Sequence, residues 1–95
     1  MELHFHLLVY TEHRKGSFAT LYIREEDAIE ALRERIRINL KMLSLGHYSP
    51  VFEIRVILNL LGNPASDYKD IIERWHKYRQ GEASCAIYPV SLTLE

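Results

Sequence analysis

Apolar and polar side chains alternate from Leu3 to Thr11. Leu3, Phe5, Leu7 and Val9 fall on one side, and His4, His6, Leu8 and Tyr10 on the other. A period of two sustained over nine residues predicts a strand. Ser17 to Ile23 repeats the pattern, with Ala19, Leu21 and Ile23 opposing Phe18, Thr20 and Tyr22. The polar segment between them, His13 to Ser17, contains Gly16 and predicts a three-residue hairpin loop with the glycine in a left-handed conformation. Such a loop sets His13 against Ser17, Tyr10 against Thr20, Leu8 against Tyr22 and His6 against Arg24. The expected core face is then Leu7, Val9, Ala19, Leu21 and Ile23.

The period changes at Glu25. Three acids, Glu25, Glu26 and Asp27, precede Ile29, Leu32, Ile36, Leu40 and Leu43, which step by three or four. Acids first and Arg33, Arg35, Arg37 and Lys41 later suit a helix macrodipole, and Gly46 is a plausible stop. Val51 to Leu61 reads two ways. Phe52, Ile54, Val56, Leu58 and Leu60 alternate as in a strand, but Ser49, Pro50 and Gly62 are helix start and stop residues. The boundary residues favour a helix with Val51, Ile54, Leu58 and Leu61 on one face; the alternative is a fourth strand. Asn63 to Asp67 opens another helix, striped by Tyr68, Ile71, Ile72, Trp75 and Tyr78 and ended by Gly81. The last segment, Ala83 to Glu95, alternates from Tyr88, and Pro89, which cannot donate to a ladder, predicts an edge strand or one bulged near its start. The expected fold is α+β: strand, strand, three helices and a strand, with the helices on one face of a three-stranded antiparallel sheet in a single domain spanning residues 1–95.

Composition narrows the function classes. The 95 residues carry 12 Lys and Arg against 13 Asp and Glu, for a net charge of -1. That balance argues against bulk electrostatic grip on nucleic acid. The one cysteine, Cys85, rules out an intramolecular disulfide and any Cys-x-x-Cys site, and points to a reducing, cytoplasmic setting. No apolar run approaches the roughly 20 residues of a membrane span. His4 and Glu2 stand where a signal peptide would be apolar.

Tyr10-Thr11-Glu12-His13-Arg14-Lys15-Gly16, then Leu21-Tyr22-Ile23-Arg24-Glu25-Glu26-Asp27-Ala28, and the ending Val90-Ser91-Leu92-Thr93-Leu94-Glu95 after a Trp/Tyr-bearing helix carry a resemblance. The order is similar to that of small uncharacterised bacterial, plasmid and phage α+β proteins. The resemblance covers the architecture of most of the chain. It implies a small inhibitor or regulator, and it implies no catalytic residue.

The candidate chemistry lies on the second face of the hairpin. His4, His6, Leu8, Tyr10, Phe18, Thr20, Tyr22 and Arg24 share it, and its aromatic and imidazole content is unusual for a solvated sheet face. The functional reading is a contact surface for another protein or a second copy of the chain, with His6, Leu8, Tyr10, Phe18, Tyr22 and Arg24 in contact. The plainer reading is that another layer of the same chain covers it. His4 and His6, about 7 Å apart on one strand face, could take two positions of a metal ion but need further ligands. Arg33, Arg37 and Lys41 form a basic stripe that could meet phosphates, although Glu30 and Glu34 interleave as salt-bridge partners. No nucleophile with a base, no carboxylate pair in a cleft and no phosphate loop is evident, so neither catalysis nor a cofactor is expected.

Overall fold

A computed structural model describes residues 1–44 and 51–94. The order is β1 (Glu2–Glu12), β2 (Gly16–Tyr22), α1 (Glu25–Ser44), α2 (Val51–Gly62), α3 (Tyr68–Tyr78) and β3 (Ala83–Thr93). The strands form one antiparallel sheet in the order β2-β1-β3, so β1 is central and both β2 and β3 are edges. This is the expected α+β architecture, and Val51–Gly62 is a helix rather than a fourth strand. Gly46, Ser49 and Pro50, expected as boundary residues, lie outside the described residues.

The hairpin closes over three residues, His13 to Lys15, with Glu12 opposite Gly16. Arg14 and Gly16 take positive φ of 71° and 106°, and the second is a value that only glycine adopts without strain. The register differs by two residues from the expected one: Tyr10 faces Phe18, Leu8 faces Thr20 and His6 faces Tyr22. A shift of two leaves every side chain on its predicted face.

The helices, however, cover the other face. Leu8 and Tyr10 are 5% and 4% exposed, and with Tyr22, Ala83, Cys85 and Ile87 they join the core formed by Leu32, Ile36, Leu40, Ile54, Ile57, Leu61, Ile71 and Trp75. The expected core residues Leu7, Val9, Ala19, Leu21 and Ile23 contribute nothing to that cluster. Leu21 is 52% exposed and Ile23 77%. Period two states which residues share a face; it does not state which face a helix takes when both are apolar. The deciding residues lie in the helices. Asn39 sits on the buried side of α1 between Ile36 and Leu40, and Trp75 is fully buried on α3. Asn39 accepts from the Trp75 indole and itself donates to Glu12, which lies on the face that carries Tyr10.

Helix ends follow from local chemistry. α1 starts behind its three acids, where Ala28 N–H donates to the Arg24 carbonyl at 3.3 Å. Asp67 caps α3 by accepting from the Lys69 N–H at 3.0 Å. α2 has no basic residue in its last turn. Arg33 of α1 supplies that charge, donating to the carbonyls of Leu60, Leu61, Asn63 and Ser66 at 3.3, 2.9, 2.8 and 3.2 Å.

Candidate functional site: the outer face of the sheet

The register assembles the uncovered face. Leu7 stands between Leu21 and Tyr88, Val9 between Ala19 and Ala86, and Thr11 between Ser17 and Ser84. Phe5 pairs with Val90 and Leu3 with Leu92. No position on this face is charged. Leu21 and Tyr88 are each 52% exposed, Leu3, Phe5, Leu7, Val9 and Val90 are half-buried, and none of them belongs to the core cluster. Among the described residues no helix lies over them.

The strongest feature is the end of the sheet that overhangs the helices. There Glu2, His4, Ser91 and Thr93 share the inner side, all exposed, and Leu3, Phe5, Val90 and Leu92 share the outer side. Nothing in the described chain covers either side of this ribbon, yet apolar residues occupy one side alone. Sorting of that kind is what a buried layer requires, and a free ribbon has no use for it.

The residues expected to bind a partner are placed otherwise. Leu8 and Tyr10 are buried beneath the helices and Tyr22 is half-buried beside them, whereas Phe18, at the sheet edge, is 51% exposed. Tyr10 stacks on Trp75 with ring centroids 5.6 Å apart, and the Arg35 guanidinium sits 4.6 Å from the centre of the Phe18 ring. His6 is half-buried on the inner face with Nδ1 3.9 Å from Glu25. Arg24 points to solvent, held by Glu26 at 2.6 Å. The hairpin face singled out from sequence is thus the inner one, and the opposite side is the one left without helices among the described residues.

The inner face does hold a polar junction. Glu12 Oε1 accepts from the Tyr10 hydroxyl at 2.5 Å and from the Asn39 amide at 3.1 Å, and the Trp75 indole donates to Asn39 Oδ1 at 2.9 Å. Lys15 and Arg79 lie 3.5 and 4.0 Å from Glu12 Oε2, and Arg79 Nη1 is buried with no hydrogen-bond partner. Burial works against ionisation of Glu12, but the Tyr10 hydrogen bond and the charges of Lys15 and Arg79 outweigh it and hold the carboxyl below its ordinary range. Burial first, and the Glu12 carboxylate second, push the Tyr10 phenol far up. These shifts belong to a structural network in which Tyr10, Glu12, Asn39 and Trp75 are hydrogen-bonded to one another within the fold. Cys85 is buried too, and burial raises its thiol to about 12, which leaves it inert.

The basic stripe is occupied in part. Arg33 is spent on the end of α2, and Arg37 pairs with Glu34 and donates to the Leu61 carbonyl at 3.4 Å. Lys41 alone of the three is exposed and has no such contact among the described residues. His4 bonds Ser91 at 3.2 Å, and among the described residues no group of three or more His, Cys, Asp or Glu is placed to hold a metal ion. No described helix is long and apolar enough to cross a membrane.

No family model, no curated protein and no solved structure matches this chain.

Proposed function

We propose that the protein is a non-catalytic binding protein that acts through the outer face of its sheet, and that the surface it binds there is the same face of a second copy. The amphipathic overhang carries this reading: no described part of the chain covers either of its sides, yet its apolar side chains are confined to one of them. The available area is sufficient. Strands about 4.8 Å apart and rising about 3.3 Å per residue give an outline on the order of 450 Å² per copy, before the relief of the side chains is added. Two such faces together bury on the order of 900 Å² before that relief is counted, the size of a weak, concentration-dependent association. The face has no charge to select a charged partner, and a two-fold pairing matches an uncharged apolar surface with its like.

Sedimentation equilibrium of wild type and Leu7→Lys tests the proposal. Leu7 lies at the centre of the face, outside the core, so the variant keeps its circular dichroism while its molar mass falls to half that of the wild-type assembly. A wild type with the mass of one chain at concentrations of a few hundred micromolar, or a Leu7→Lys variant of unchanged mass, contradicts it.

A further inference from the structure

The sheet has a second unpartnered surface, the free edge of β2. We propose that β2 pairs antiparallel with β2 of a second copy, joining two sheets into one of six strands. The inference is independent of the face-to-face contact, because it uses backbone groups and not the outer side chains.

Four observations lead to it. First, β2 is bonded on one side only, and Gly16 to Leu21 are all exposed. Second, the two edges differ. β3 carries Pro89 opposite His6, which blunts it, whereas Gly16-Ser-Phe-Ala-Thr-Leu-Tyr22 has neither a proline nor a charge. An unblunted edge is a template for another strand. Third, opposite charge stands at the two ends of this strand. His13-Arg14-Lys15 precede it, and Glu25-Glu26-Asp27 follow it. Arg14 and Asp27 have no ion-pair partner among the described residues; Lys15 and Glu26 pair within the chain. Antiparallel self-pairing brings the basic turn of each copy towards the acidic helix start of the other, at both ends, whereas parallel pairing would set like beside like. Fourth, a two-fold axis at Ala19, the middle residue of β2, puts the smallest side chain of the strand interior on the axis. Phe18 then faces Thr20 of the other copy, an aromatic and β-branched pair of the kind that stabilises sheets. That rotation also keeps outer face with outer face, so the apolar surface continues across the junction.

The test reads the edge alone, in a Leu7→Lys background that removes the face contact. That variant remains a two-chain species by sedimentation equilibrium, and raising the salt from 0.05 to 0.5 M weakens its association. Adding Arg14→Glu, or adding Asp27→Lys, weakens association several-fold, and the two together recover it. Amide hydrogen exchange shows β2 slowed on association. Circular dichroism checks that each variant is folded. A Leu7→Lys variant that is monomeric, or charge reversals that fail to compensate, overturns the edge pairing. The two surfaces separate cleanly. A Leu7→Lys monomer sinks the edge and keeps the face. An assembly that ignores Leu7→Lys but divides on Arg14→Glu sinks the face and keeps the edge.

Discussion

Glu12 is where β1, the hairpin turn, α1 and α3 meet: Tyr10, Lys15, Asn39 and Arg79 all converge on its carboxylate. Its depressed pKa makes it a source of pH-dependent stability. The folded state favours the ionised form more than the unfolded chain does, so the contribution is present above the ordinary carboxylate value and is lost as pH falls below it through the depressed folded value. Glu12→Gln should lower the urea midpoint at pH 7 and flatten the decline between pH 6 and pH 3. An equally steep decline in the variant would show that other carboxylates carry the acid sensitivity. The junction was only half legible in the sequence. Glu12 lies in the turn-proximal end of an alternating strand, where an acid is unremarkable. The readable sign was Asn39, a polar residue four places after Arg35 on a helix side otherwise filled by Leu32, Ile36 and Leu40. A buried amide requires a buried partner, and that partner identifies the inner face of the hairpin.

At the scale of elements, periodicity and capping residues located every strand and helix, including the helix over Val51–Gly62 that alternation alone would have made a strand. What stayed hidden was the employment of Arg33. As one member of an apparent basic stripe it reads as a surface cation. The sequence of α2, apolar to its end and without a basic last turn, shows that its terminal carbonyls need a donor from elsewhere. Arg33→Ala should therefore cost about 1–2 kcal/mol in chemical denaturation, with Arg33→Lys recovering part of it because an ammonium supplies the charge without the guanidinium fork. A loss below about 0.3 kcal/mol for Arg33→Ala would place Arg33 among ordinary surface charges.

At the scale of the whole molecule, the helices form one layer and the sheet another, with overall extents of 55 × 32 × 17 Å. The choice of face could not be read from the strands, because both sides of the hairpin are apolar. One is aromatic with polar tips, and the other is aliphatic. The aromatic side looked like a docking surface because it was rich in rings. It is the core side because Tyr10 and Trp75 need each other and the junction around Glu12. The aliphatic side, which looked like a core, is outside the core cluster, and its proposed second layer comes from another copy. Radical footprinting across a dilution series examines that layer directly, with Phe5 and Tyr88 reporting on the outer face and Met42 and Phe52, exposed on the helices, as controls. The account predicts that Phe5 and Tyr88 become protected as concentration rises while Met42 and Phe52 do not change. Equal labelling of Phe5 and Tyr88 at every concentration would contradict it.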